Sequence, residues 1–194
     1  MTVAVFGGAF DPPHVGHISL VRAALEHFRF ERVLVVPAGD PPHKAVATPA
    51  EIRDRLAELA FAGIPELEIS PLELEPGGPR YTVDTLQHLR ESYDDLTLLI
   101  GADQLKGFLR WREPDRVLKL ATLAVANRPG YDEDKLRPVL AALDRPERVS
   151  FFSIPPQSVS SREIRARVRD GLKIDDLVPP SVAAEIDRLG LYRD

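Results

Sequence analysis

The stretch Val3-Ala-Val-Phe-Gly-Gly-Ala-Phe-Asp-Pro-Pro-His-Val-Gly-His17 decides how this chain is read. It opens on an apolar run with no polar alternation, the pattern of a strand buried on both faces. Two glycines follow at once. Glycine at the end of a strand lets the backbone come close to a ligand, and the N-terminus of a following helix attracts anions. The stretch is neither the dinucleotide fingerprint GxGxxG nor a Walker phosphate loop, because histidines stand where Gly-Lys-Ser would be. His14 and His17 lie three apart at the start of a helical pattern, so both face one side. Taken alone, the pair reads first as two polar histidines on a glycine-rich turn. No downstream cluster of His and carboxylates completes a metal ligand set, so no protein-held metal is expected.

Working outward, short apolar runs alternate with amphipathic stretches almost to the C-terminus. Strands are expected at 3–6, 32–36, 67–70, 96–100, 121–126 and 149–154. Helices are expected at 15–28, 50–62, 82–93, 132–143, 161–170 and 181–189, with Pro49 suited to the first turn of the second. Such alternation implies an α/β fold: a doubly wound parallel sheet, Rossmann-like, covered on both faces. Ligands in these sheets sit beyond the carboxyl ends of the strands, which points to the loops 7–15, 37–48, 101–112, 127–131 and 155–161. No linker, repeat or low-complexity run interrupts the pattern, so one domain over residues 1–194 is expected.

Composition narrows the function. Twenty-five Lys and Arg against 30 Asp and Glu give a formal charge of −5, which argues against a surface built for nucleic acid. Cysteine is absent, excluding disulfides, a thiolate nucleophile and Cys-ligated metals. No basic leader or long apolar stretch marks the N-terminus, and no window approaches the ~20 apolar residues of a membrane helix. A cytoplasmic protein is the expectation. Proline is abundant, 18 in 194, and falls in pairs such as Pro12-Pro13, Pro41-Pro42 and Pro155-Pro156, each marking a stiff extended loop.

A second constellation lies near the C-terminus, Val159-Ser-Ser-Arg-Glu-Ile-Arg165. Ser160 with Glu163 has the spacing of a capping box. The same helix start offers amides, two hydroxyls and Arg165 one turn along, a set suited to polyphosphate. Two anion-suited helix starts at opposite ends of one doubly wound domain say more than either alone.

Together, His14-Val-Gly-His17 and the late Ser-Ser-x-x-x-Arg segment resemble the paired signatures of the nucleotidyltransferase superfamily. Pro41-Pro-His-Lys44, Tyr81-Thr-Val-Asp-Thr-Leu86, Ile100-Gly-Ala-Asp-Gln-Leu105 with Trp111, and Arg128-Pro-Gly130 make the whole chain similar to the bacterial nicotinate-mononucleotide adenylyltransferases. It departs from that pattern at Arg162, where the family often has threonine, and at Val159 in place of isoleucine.

The resemblance implies a Rossmann-like nucleotidyltransferase fold and transfer of AMP from ATP to nicotinate mononucleotide, with release of pyrophosphate. It implies that His14, His17 and Arg165 are catalytic. ATP would meet Gly7, Gly8, Ala9, Phe10, His14, His17, Gly101, Asp103, Arg128, Ser160, Ser161 and Arg165. The acceptor would meet His43, Lys44, Thr82, Asp103, Trp111 and Arg112. Mg2+ would arrive with ATP. The implied partners are small-molecule substrates, with neither nucleic acid nor membrane, and a homo-oligomer stays open. Another acceptor, such as phosphopantetheine or nicotinamide mononucleotide, or a catalytically silent nucleotide-binding regulator, are the alternatives.

Overall fold

The computed structural model describes residues 2–41, 46, 48–127, 135–156 and 158–193. Six strands form one parallel sheet in the order β3-β2-β1-β4-β5-β6. They are β1 (Thr2–Gly8), β2 (Arg32–Pro37), β3 (Leu67–Ile69), β4 (Asp95–Gly101), β5 (Thr122–Asn127) and β6 (Val149–Ser153). The helices are α1 (Val15–Phe28), α2 (Ala50–Phe61), α3 (Thr82–Leu89), α4 (Ala102–Gly107), α5 (Pro114–Leu120), α6 (Arg137–Ala141), α7 (Ser161–Arg169) and α8 (Pro180–Leu189).

Side-chain alternation along each strand splits the core in two. Ala4, Phe6, Val33, Val35, Leu99 and Ala124 face α1, α2 and α8, which contribute Val21, Leu56 and Ile186. Val3, Val5, Leu34, Val36, Leu98 and Val125 face the other way, onto Leu86 of α3, Leu105 of α4 and Leu118 of α5. Both faces being covered explains why the strands read as continuous apolar runs. Among the described residues, no helix is long and apolar enough to cross a membrane.

β1 pairs with β2 on one side, Val5 opposite Leu34, and with β4 on the other, Val5 opposite Leu98. The chain winds outward through β2 and β3, then returns across β1 to build β4, β5 and β6. The switch point therefore opens beyond the carboxyl ends of β1 and β4, the place where such sheets hold ligands.

Two helices are shorter than their patterns suggest. The 82–93 pattern ends as helix at Leu89, because the amides of Ser92 and Tyr93 both turn back to the Leu89 carbonyl. β4 starts at Asp95, so the chain has to reverse there, and Ser, Tyr and Asp hold a helix poorly. Within the expected 132–143 helix, Arg137–Ala141 is the α-helical part of the described residues, and residues 132–134 lie outside them.

The loops after β1 and β2 are fastened by one side chain. Arg53 of α2 is 1% exposed. It donates from Nη1 to the carbonyls of Ala9 (2.9 Å) and Ala38 (2.6 Å), from Nη2 to Gly39 (2.8 Å) and from Nε to Thr48 (3.1 Å). Burial pulls its pKa down and the Asp11 carboxylate opposes the shift, but a guanidinium stays charged in a protein. Arg53→Met keeps the volume and removes all four donors, leaving buried carbonyls unpaired. It should cost about 3–5 kcal/mol, the scale for removing one partner of a buried charged pair. For a chain of this size that is a fall in Tm of roughly 6–20 °C in a thermal melt.

Candidate active site

A cleft of about 970 Å3 opens at the switch point. Its floor is the end of β1 and β4, Gly7, Gly8, Ile100 and Gly101. One end is walled by the start of α1 and α7, the other by the start of α3 and the segment around Trp111.

At the first end His14 caps α1 from an extended backbone, and its ring stacks on His17 with centroids 3.7 Å apart. The His14 backbone N–H donates to Nδ1 of His17 at 3.1 Å. That nitrogen therefore carries no proton, and the neutral ring keeps its hydrogen on Nε2 as a donor. The glycine between them has a steric reason. A Cβ on Gly16 would lie 3.1 Å from His14 ring atoms and 3.1 Å from a Val159 methyl. The first turn of α1 thus presses directly on the segment leading into α7.

α7 is tied to the first loop by side chains far away in sequence. The Ser161 hydroxyl donates to the Pro12 carbonyl (2.8 Å), and Arg165 Nη1 donates to the Asp11 carbonyl (2.6 Å). Asp11 is 5% exposed, and its carboxylate accepts a 2.7 Å bond from the Tyr192 hydroxyl. Burial and Asp11 push the Tyr192 phenol up, so it stays a donor. The capping box forms by half. Ser160 Oγ accepts from the Glu163 amide at 3.2 Å, but the Glu163 carboxylate turns along the helix to Arg167 at 3.1 Å. Negative charge is thereby kept off the helix start.

Two expected contacts change character. The one proton of the Ser161 hydroxyl is committed to Pro12, so toward an anion Ser161 offers its place at the helix start and not its hydroxyl. Phe10 stands in the left-handed region, φ 48°, with its ring packed edge-on to Phe6 and Phe61 and 2% exposed. The ring is core, and the nearby backbone is what a ligand meets.

On the floor, a Cβ on Gly101 would strike Asp103 Oδ1 at 2.5 Å. Glycine there lets the Asp103 carboxylate lie back over the strand end. At the far end, Trp111 is half-buried, its ring centroid 5.2 Å from that of Phe108, and it borders the cleft. It is part of the core's edge and of the cleft wall together. The Arg112 guanidinium sits 4.6 Å over the Tyr81 ring and 3.5 Å from Asp84. Thr82 opens α3 beside them.

The cleft therefore gathers Gly7, Gly8, Ala9, Phe10, His14, His17, Thr82, Gly101, Asp103, Trp111, Arg112, Ser160, Ser161 and Arg165. His43, Lys44 and Arg128 lie outside the described residues. Among the described residues, no three His, Asp or Glu side chains converge as a metal centre would. Sequence reasoning missed Asp11, Arg53, Tyr192 and Glu73. Glu73 borders the cleft and accepts a 2.7 Å bond from Thr85 Oγ1. Burial pushes its carboxyl up from 4.5 to about 7, against the pull of the Thr85 bond. No local pattern marks a Glu between two leucines as buried.

A six-stranded parallel sheet with two anion-suited helix starts at its switch point defines a nucleotide-binding transferase architecture, and residues 5–167 match the cytidylyltransferase-like family. The chain is 39% identical, over the full length of both chains, to a probable nicotinate-nucleotide adenylyltransferase of Thermus thermophilus. It is 40% identical to one of Thermomicrobium roseum, with 98% of this chain and 91% of that one covered. The fold is also that of the Plasmodium falciparum nicotinic acid mononucleotide adenylyltransferase complexed with NaAD, at a TM-score of 0.80 and 18% identity, covering 98% and 97% of the two chains. The chain belongs to the nicotinate-nucleotide adenylyltransferase family.

The half-buried Glu73 has a consequence for stability. Its folded pKa lies above the unfolded value, so its contribution is full below pH 4.5 and is lost progressively up to about pH 7. Above that, both states are ionised and the folded protein carries a buried charge. Glu73→Gln should gain stability relative to the parent protein as pH rises through that window, by about 3 kcal/mol at most at 1.36 kcal/mol per unit, and the difference should stay flat above it. Urea titrations at several pH values measure this.

Proposed function

We propose that this protein transfers AMP from ATP to the phosphate of nicotinate mononucleotide, giving nicotinate adenine dinucleotide and pyrophosphate. The observation that carries the reading is the tie of Ser161 and Arg165 to the Pro12 and Asp11 carbonyls, which makes two anion-suited helix starts into one wall of one cleft. Full-length similarity to the curated relatives supports the choice of acceptor.

The nucleophile is a phosphate monoester with a second pKa near 6, already mostly dianionic at neutral pH. No general base is needed. The work left to the protein is to place two polyanions in line and to neutralise charge as pyrophosphate leaves. His17 donates from Nε2 to the α-phosphate, with His14 stacked behind it. Ser160, the start of α7 at Ser161 and Arg165 hold the β- and γ-phosphates. Gly7, Gly8, Ala9 and the backbone at Phe10 border the triphosphate, and Asp103 over Gly101 accepts from a ribose hydroxyl. Lys44 and His43, by family resemblance, reach the acceptor phosphate, and Arg128 the nucleotide. Mg2+ would arrive bound to ATP and would supply charge neutralisation as pyrophosphate leaves, with no protein side chain assigned to hold it. Trp111 stacks on the pyridine ring, and the start of α3 at Thr82, with Arg112, meets its carboxylate.

Attack by the acceptor phosphate oxygen forms one P–O bond at the α-phosphorus while the bond to pyrophosphate breaks. No covalent enzyme intermediate is required. The decisive assay supplies ATP and Mg2+ with nicotinate mononucleotide, nicotinamide mononucleotide or phosphopantetheine and measures pyrophosphate release. Nicotinate mononucleotide should be favoured, since a carboxylate accepts charge-assisted bonds that an amide does not match. A 2 kcal/mol difference corresponds to about thirtyfold in kcat/KM, and equal values for the acceptors would overturn the assignment. His17→Ala should lower kcat by roughly 10²–10³, the scale for losing one preorganised donor, in a protein whose thermal melt is little changed.

A further inference from the structure

Glu73 is a half-buried carboxyl on the cleft wall that this mechanism leaves without a task. It stands in the segment between β3 and α3, and its Oε1 is 2.7 Å from Thr85 Oγ1. The same Thr85 oxygen is 3.2 Å from the Tyr81 carbonyl, the residue that caps the start of α3. Thr85 has a single hydroxyl proton and two acceptors within reach.

The two forms of Glu73 distribute that proton differently. As a carboxylate, Glu73 can only accept, so it takes the Thr85 proton, and the Tyr81 carbonyl keeps the backbone amides of Asp84 and Thr85. As a neutral acid, Glu73 donates to Thr85 Oγ1, and Thr85 passes its own proton to the Tyr81 carbonyl. That relay adds a third donor to a Tyr81 carbonyl at the first turn of α3 that the Asp84 and Thr85 amides already meet, so the charge of Glu73 is what changes at this wall. That turn, with Thr82, is the wall assigned above to the acceptor carboxylate. The neutral acid also removes a negative charge from a site that receives one.

We propose that Glu73 is a positioning residue that links acceptor binding to a proton: its neutral form admits an anionic pyridine acceptor and its ionised form opposes it. Burial alone raises the carboxyl toward neutrality, while the Thr85 bond opposes the rise. The charged groups nearby do not carry the shift. Arg80 pairs with Asp40 of the loop after β2, Arg112 with Asp84 of α3 and with Glu113, Asp103 stands on α4, and Glu75 follows on the same segment. The inference rests on the acceptor assignment of the proposed function.

The test is the pH dependence of KM for nicotinate mononucleotide between pH 6 and 8, in the parent protein and in Glu73→Gln. If only the neutral form binds, the parent KM should rise about tenfold across that range, following the competent fraction. Glutamine is permanently neutral and donates to Thr85 as the acid does, so its KM should lose that rise and stay low at pH 8. The acceptor phosphate also titrates near 6, but equally for both proteins, so their ratio isolates Glu73. KM for ATP should follow the same pH profile in both. Thr85→Ala removes the bond that favours the ionised form, so its rise should move to higher pH, whereas Thr85→Ser should keep it in place. A tenfold rise that persists in Glu73→Gln, or that stays at the same pH in Thr85→Ala, overturns the inference while the activity stands. A parent protein that makes no dinucleotide from nicotinate mononucleotide at any pH overturns the proposed function and this inference with it.

Discussion

The buried guanidinium of Arg53 is the constraint on which the site depends. The loops after β1 and β2 are rich in Gly and Pro, residues that build few hydrogen bonds within a loop. Their carbonyls at Ala9, Ala38, Gly39 and Thr48 are satisfied instead by one side chain from α2. Taking a charge from water is costly, and here every N–H direction used meets an acceptor at hydrogen-bond distance. The consequence is geometric. The end of β1, where Gly7 and Gly8 floor the cleft, is fixed relative to the neighbouring loop before any ligand arrives, and preorganisation of this kind is what charge stabilisation requires.

A parallel linkage holds the other wall. Asp11 is gripped from three sides: by Arg165 of α7, by the Tyr192 hydroxyl from the chain's last residues, and by the field of Arg53. Its carboxylate is therefore spent on structure, and Arg165 is oriented by the loop it helps to hold. The cleft is locally cationic at this end although the chain as a whole carries −5. Glu163 shows the same economy, its carboxylate drawn to Arg167 and away from the helix start where phosphate is to lie. Net charge describes solubility and nonspecific partners, and the arrangement of individual charges decides what the cleft accepts.

The two ends of the cleft differ in kind. The end proposed for phosphate presents backbone, imidazole and guanidinium groups placed by helix starts. The end proposed for the acceptor has Trp111 against Phe108, Tyr81 under Arg112, and a half-buried acid hydrogen-bonded to Thr85. Aromatic side chains and a half-buried carboxyl would suit a flat ring with one charged substituent in the proposed reading, since a site discriminates by which polar groups it leaves unpaired.

The sequence by itself determined what is local. Apolar runs marked all six strands to within two residues at each end, and the first helix, 15–28, falls where its pattern begins and ends. His14, Gly16 and His17 were legible because their spacing on a helix start is a property of the backbone. Ser160 and Arg165 were legible for the same reason. What only the tertiary structure decided is who meets whom. Tyr192 finds Asp11 across 181 residues and Arg53 finds Ala9 across 44, separations over which no periodicity operates. The Ser161 hydroxyl looked free for phosphate and is taken by Pro12, and Phe10 looked like loop and is core. Glu73 reads as one more acidic residue in an acidic chain. Its altered proton affinity comes from desolvation, and desolvation exists only once the chain has closed around it.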